Sequence, residues 1–216
     1  MRGGLILAGG KSRRFGREKC LLEVLGKILV EWVIERLSFL DELRVALRYG
    51  QRLPERIEIP VSYDSGEVGP LGGILEALKE MRSEFVFITA CDMPMIRRDA
   101  VELLFSLSSS HDAVLPEWSS GYIEPLHAIY RRESMIRACE EALRNGERRI
   151  SSAISRLQRV LRFPAESLPK ESFFNLNTEE DLRELIKLLR EERREEIDEL
   201  KGWNPDVKSR RNHDKA

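Results

Sequence analysis

A strand with one face in water alternates apolar and polar side chains. Gly4-Leu5-Ile6-Leu7-Ala8 does not alternate: it is small or apolar throughout, as a strand covered on both faces must be. Such a strand belongs inside a parallel sheet, and parallel neighbours need long crossover connections, usually helices. The chain supplies them. Ile28, Val30, Val33, Ile34, Leu37 and Leu40 keep a helical period, and further helices are predicted over 71–81 and 100–107. Short apolar runs at 43–47, 59–63, 85–88 and 113–115 read as the strands between them. This βαβα rhythm predicts an α/β fold, an open and mostly parallel sheet with helices on both faces.

The second half is less regular. Strands over 126–130 and 159–163 flank a helix over 133–144 that ends at Asn145-Gly146. Thr178-Glu179-Glu180-Asp181 has the form of a capping box opening a last helix over 182–189. Beyond it, 190–201 is almost wholly charged with alternating sign and reads as a solvated helix, while 202–216 reads as disordered. The expected organisation is one domain over 1–190, followed by a charged helical extension and tail over 191–216.

Composition narrows the function. A 42 % hydrophobic fraction in 216 residues is enough for a proper core. Lys and Arg number 36 against 37 Asp and Glu, a balance that argues against holding nucleic acid or an anionic membrane by bulk charge. No apolar run reaches membrane-spanning length, and Lys11, Arg13 and Arg14 follow the first apolar run too soon for a secretory signal. Cys20, Cys91 and Cys139 are scattered, without zinc-ligand spacing and odd in number, so a reducing cytoplasm is the expected compartment.

In an open α/β sheet, ligands collect beyond the carboxyl ends of the strands. After the first strand come Gly9-Gly10-Lys11-Ser12-Arg13-Arg14, then Lys19. Glycines let successive N–H groups converge on phosphate oxygens, Ser12 adds a donor, and Arg13, Arg14 and Lys19 offer cations. Two familiar phosphate motifs fail here. A Walker loop needs four residues between its glycines, and Gly4 to Gly10 leaves five, three of which the strand requires. The fingerprint Gly-x-Gly-x-x-Gly is absent. At a second strand end, Cys91-Asp92-Met93-Pro94 places a carboxylate where it could hold Mg²⁺ beside bound phosphates. Asp64 suits either a ribose or base edge or a plain turn. Gly69-Pro70-Leu71-Gly72-Gly73 opens a helix with room for a ligand or for tight packing. Asn175-Leu176-Asn177-Thr178 offers two amides to a ligand or to a helix cap.

Together these segments resemble, in order, the nucleotidyltransferases that make the dinucleotide form of the molybdenum cofactor, and among them the guanylyltransferases. Leu7-Ala8-Gly9-Gly10-Lys11-Ser12-Arg13-Arg14-Phe15-Gly16 with Lys19 matches their opening loop. Asp64 with Gly69-Pro70-Leu71-Gly72-Gly73, Cys91-Asp92-Met93-Pro94 and Asn175-Leu176-Asn177-Thr178 match later motifs. Glu124-Pro125-Leu126-His127-Ala128 and Gly146-Glu147-Arg148-Arg149 resemble the acceptor-side segments.

The resemblance implies a three-layer α/β/α nucleotidyltransferase fold, Rossmann-like, working in the cytoplasm. It implies transfer of GMP from GTP to the terminal phosphate of molybdopterin, with Mg²⁺. Leu7, Ala8, Gly9, Gly10, Ser12, Lys19, Asp64, Gly69 and Asp92 would bind nucleotide. Arg14, Lys19 and Asp92 would serve catalysis, with Asp92 the metal ligand. His127, Arg148, Arg149, Asn175 and Asn177 would meet the acceptor. Proteins that insert molybdenum or receive the cofactor are the implied partners. Phe15 and Glu18 stand where the family usually has Met and Asp, and Arg48 near a nucleotide-contacting Asn, so Arg48 is left out of the expected site. Cytidylyl relatives tend to carry Ala-Ala-Gly at Ala8-Gly9-Gly10; a missing Cβ at Gly9 would leave room for a purine, which favours GTP. The competing readings are the same fold with CTP or another acceptor (phospholactate, a cobinamide, a sugar phosphate) and a GTP-binding regulatory protein.

Overall fold

The computed structural model of the chain describes residues 1–9, 18–64 and 69–202. They form two compact units, Met1–Asn175 and a second beginning at Leu176. In chain order the first unit runs β1 (Arg2–Leu7), a hairpin of β2 (Glu23–Val24) and β3 (Lys27–Ile28), α1 (Leu29–Arg36), β4 (Glu42–Arg48) and β5 (Val61–Asp64). It continues with α2 (Pro70–Glu80), β6 (Phe85–Ala90), α3 (Arg98–Ser106), β7 (Ala113–Glu117), β8 (His127–Arg131), α4 (Arg132–Arg144), α5 (Ile150–Ile154) and β9 (Val160–Pro164).

Seven strands make one sheet in the order β5-β4-β1-β6-β8-β7-β9. The apolar run at β1 lies inside it, parallel to β4 on one side and to β6 on the other. Successive side chains of β1 serve opposite faces. Ile6 joins Val45 and Phe87 under α1 and α3, packed with Val33, Val101 and Leu104. Leu5 joins Ala46, Val86 and Ile88 under α2 and α4, packed with Ile74, Leu78, Met135 and Cys139. Both faces are therefore apolar cores, and the layers are α/β/α as expected.

One strand runs against the rest. β8 is antiparallel to both β6 and β7. Its residues are as buried as those of a parallel strand, so the apolar pattern carries no sign of its direction. The hairpin also departs from the sequence reading, which begins a helix at Ile28. Leu25 and Gly26 turn with φ of 51° and 84°, and the Trp32 indole N–H donates to the Val24 carbonyl at 3.0 Å, tying the hairpin to α1.

Chain order leaves β1 toward β4 and β5, then crosses to β6 on the other flank. This reversal opens a crevice beyond the carboxyl ends of β1 and β6.

The second unit holds α6 (Glu179–Gly202), longer than the helix read from sequence and continuous through the charged stretch. Its start is the capping box expected there. The Asp181 N–H donates to Thr178 Oγ1 at 3.1 Å, and the Thr178 and Asn177 N–H groups donate to Asp181 Oδ2 at 2.7 and 2.8 Å. Residues 203–216, with most of the tail read as disordered, lie outside the described residues.

Candidate active site

The strand exits are locked together before they diverge. Beyond β1, the Ala8 N–H donates to the Ala46 carbonyl and the Cys91 N–H to the Leu7 carbonyl, both at 2.9 Å. These bonds set the ends of β1, β4 and β6 at one level. A buried amide fastens the next layer: Gln51 Nε2 donates to the Ala8 carbonyl at 2.9 Å and to Cys20 Sγ at 3.0 Å, while Gln51 Oε1 accepts from the Arg48 N–H. Gln51 thus joins the exit of β1, the turn that carries Lys19, and the end of β4. Sequence reasoning missed it; a lone Gln in a loop gives no signal until its surroundings close over it.

Lys19 and Asp92 meet above this frame. Lys19 Nζ lies 2.8 Å from Asp92 Oδ2, and both side chains are mostly buried. Asp92 Oδ1 is also buried and has no hydrogen-bond partner among the described residues. The Cys20 and Cys91 thiols influence each other. The neighbouring Cys91 lowers the Cys20 pKa, while Cys20, together with burial, pushes Cys91 up.

A cavity of about 380 Å³ opens at the same strand ends, lined by Leu7, Gly9, Arg48, Asp64, Gly69 and Leu126 among others. It brings together four of the expected nucleotide ligands and adds Arg48, which the sequence reading omits. Ala8 is buried beneath. Gly69 takes a positive φ of 71° as the residue before α2, a conformation that favours glycine. Farther along α2, a Cβ built at Gly73 would lie 3.5 Å from Asp64 Oδ2, so the helix approaches the carboxylate closely.

At Gly9 the structure gives the glycine a different reason from the one expected. Its missing Cβ would point at the Arg48 backbone nitrogen, 3.1 Å away, and at the Leu47 carbonyl carbon. The absent side chain thus admits the main chain of β4, and room for a purine is not what it provides.

The acceptor-side residues stand on different elements. Arg148 is exposed, and its Cβ and carbonyl oxygen would lie 3.8 Å from a Cβ built at Gly69, so it borders the cavity's rim. Its loop is pinned by Glu147, which accepts from Arg156 at 2.9 and 3.2 Å. Arg149 is exposed at the start of α5, and Asn175 is exposed at the end of the first unit. Asn177 belongs to the second unit, where it joins the cap of α6.

His127 departs from the expectation that it meets a substrate. The ring is fully buried at the start of β8, 5.1 Å edge-on from Phe87 and 4.6 Å from Phe173, with Nε2 3.2 Å from Ser172 Oγ. Burial pushes its pKa down to about 3, which keeps it neutral. It is a core residue. Gly10, Ser12 and Arg14 lie outside the described residues.

A family model for the MobA-like NTP transferase domain matches residues 4–160, the segment that contains every strand exit just described. The chain belongs to the MobA-like NTP transferase family. Among the relatives of this NTP transferase, a Methanosarcina mazei protein named "Probable molybdenum cofactor guanylyltransferase" is 36 % identical over 203 residues, 86 % of this chain and 90 % of that protein. One of the same name from Thermococcus gammatolerans is 37 % identical, covering 85 % and 98 %. The crystal structure of molybdopterin-guanine dinucleotide biosynthesis protein A from Archaeoglobus fulgidus is similar with a TM-score of 0.75 at 31 % identity, covering 88 % of this chain and 99 % of that one.

Mg²⁺ can be tested against the donors present. A buried carboxylate oxygen without a partner, beside a lysine, suits a hard cation that takes few protein ligands and completes its shell with phosphate and water. No cluster of three or more His, Cys, Asp or Glu able to hold a metal occurs among the described residues.

Proposed function

We propose that the protein transfers GMP from GTP to the terminal phosphate of molybdopterin, giving the guanine dinucleotide cofactor and pyrophosphate. The observation that carries this reading is the Lys19–Asp92 pair, with its spare buried oxygen, at the same strand ends that line a cavity with Leu7, Gly9, Asp64 and Gly69. The names of the relatives at 36–37 % identity support the choice of nucleotide and acceptor.

The chemistry asked of the protein is modest. A terminal phosphate oxygen of the acceptor attacks the α-phosphorus of GTP in line. The new P–O bond forms as the α–β bridging P–O bond breaks, and pyrophosphate leaves with the bonding pair. The acceptor phosphate is already an anion at neutral pH, so no side chain need act as base. Catalysis is then positioning and charge neutralisation.

Lys19 carries three donors, and one of them faces Asp92. The same ammonium would donate to phosphate oxygens when the nucleotide binds. Asp92 would hold Mg²⁺, which neutralises charge on the phosphates when bound. The cavity walls would hold the nucleoside, with Gly9 and Gly10 presenting backbone N–H groups and Ser12 and Arg14 adding donors to the triphosphate. Arg148 and Arg149 would receive the acceptor's phosphate end, with Asn175 orienting the acceptor. The protein partners of such an enzyme would be those that deliver molybdenum and those that take the finished cofactor, in the cytoplasm.

Calorimetric titration with GTP, CTP and ATP, each with and without Mg²⁺, tests the reading. GTP binding that is selective and strengthened by Mg²⁺ is expected. Preference for CTP would move the protein to cytidylyl transfer, and binding of none would remove its first substrate.

A further inference from the structure

The cavity at the ends of β1, β4 and β5 has an uneven lining. Leu7, Ala46, Pro70, Ala90 and Leu126 give it apolar walls, and several glycines leave it open. Among the described lining residues only Arg48 and Asp64 carry charge, one of each sign. They are register partners at the ends of β4 and β5, so the sheet itself sets them side by side.

Arg48 is under-used by the protein. Its nearest acidic partner among the described residues is Glu18, with Nη2 3.8 Å from Oε1, beyond hydrogen-bond reach. The guanidinium carries five N–H donors in a rigid fork. Its main chain is fixed: the Arg48 N–H donates to the buried Gln51 side chain, and the backbone nitrogen abuts Gly9. The Asp64 carboxylate lies against the first turns of α2, at Gly73.

We propose that Arg48 is the base-specificity residue of this cavity, its fork taking the O6/N7 edge of guanine while Asp64 accepts from the N1–H and 2-amino edge. This rests on the guanylyl reading above and deepens it. Guanine presents two adjacent acceptors and, next to them, two adjacent donors; a cation and an anion placed side by side match that order. Adenine puts an amino donor where Arg48 needs an acceptor. Cytosine lacks the five-membered ring that carries N7. The apolar walls would cover the faces of the heterocycle. Since the Cβ direction of Gly9 is taken up by β4, this pair supplies the discrimination that the glycine does not.

The test is competitive binding to the full chain with Mg²⁺, comparing GTP, 7-deaza-GTP (carbon in place of N7), ITP (no 2-amino group) and ATP. The wild type is expected to bind GTP about tenfold more tightly than 7-deaza-GTP and about tenfold more tightly than ITP. Arg48→Ala and Arg48→Lys should bring GTP and 7-deaza-GTP within about twofold, because lysine keeps the charge and loses the fork. Both should keep the preference for GTP over ITP, while Asp64→Asn should lose it. Thermal melts on the same samples identify a variant that has failed to fold, and Arg48→Lys, the milder change, then carries the comparison.

If Arg48→Lys keeps the wild-type ratio of GTP to 7-deaza-GTP, or if both ligands weaken equally in Arg48→Ala, the guanidinium serves phosphate or structure and the inference falls. Equal wild-type affinity for GTP and 7-deaza-GTP also overturns it, while leaving the guanylyl reading intact. A wild type that does not prefer GTP over ATP overturns both.

Discussion

Lys19 Nζ sits 2.8 Å from Asp92 Oδ2, while the other oxygen of the same carboxylate is buried and unpartnered among the described residues. Leaving a carboxylate oxygen dry costs free energy unless something binds it. The pair is therefore poised toward a ligand. Asp92→Asn keeps the shape and removes the charge. It should lower kcat/KM for nucleotidyl transfer by at least about a hundredfold and abolish its dependence on Mg²⁺, with the protein still folded by circular dichroism. Retention of full Mg²⁺-dependent activity would remove Asp92 from the metal.

Lys19→Ala should separate the phosphates from the nucleoside. A charge-assisted hydrogen bond to phosphate is worth about 1.5–3 kcal/mol, so GTP affinity should fall by tenfold or more while GMP affinity changes little. Calorimetry with the two nucleotides reads the difference, and equal loss for both would place Lys19 elsewhere on the ligand.

Gly9→Ala places a Cβ 3.1 Å from the Arg48 backbone nitrogen. The β1 and β4 exits must part slightly to admit it, which strains the frame under every nucleotide alike. The expected outcome is a lower melting temperature and similar proportional losses for GTP and CTP. A selective loss of GTP with an unchanged melting temperature would restore the idea that Gly9 makes room for the purine.

Replacing Gln51 by Leu would leave the Ala8 carbonyl and the Arg48 N–H without their side-chain partner in a buried site. Unfolding stability should drop by about 1–3 kcal/mol for each such group left unpaired. Urea denaturation measures it. A change smaller than a few tenths of a kcal/mol would mean that these groups find other partners.

His127 gives the fold a pH dependence. Its pKa is about 3 when folded and near 6.5 when unfolded, so below pH 6.5 the unfolded chain binds the extra proton. The stability linked to this ring is complete above pH 6.5 and is lost as the pH falls toward 3, by up to about 1.4 kcal/mol per pH unit. Urea midpoints measured from pH 7 to 5 should fall less steeply in His127→Gln than in the wild type. Parallel profiles would show that the ring is protonated in the fold.

Much of this architecture is visible in the sequence because it rests on local patterns. The unbroken apolar run of β1, the Gly69-Pro70 start of α2 and the Thr178–Asp181 cap each declare themselves within a few residues. What escapes the sequence is relational. The direction of β8 depends on which neighbours it pairs with, and a strand buried on both faces reads the same either way. His127 looks like a ligand in its motif, yet its place is fixed by Phe87, Phe173 and Ser172, distant in sequence. Arg48 and Gln51 acquire meaning only when the ends of β1, β4 and β5 come together. Conversely, the order of the motifs around Gly9, Asp64 and Asp92 is enough to indicate the site, since strand ends on one edge of the sheet converge.

The central claim is that this edge carries out nucleotidyl transfer to a phosphate. Purified protein, molybdopterin, Mg²⁺ and GTP labelled at the α-phosphate should yield a labelled dinucleotide and one pyrophosphate per dinucleotide formed, with CTP a much poorer donor. Pyrophosphate released without a labelled dinucleotide, or no release at all with GTP bound, would contradict it.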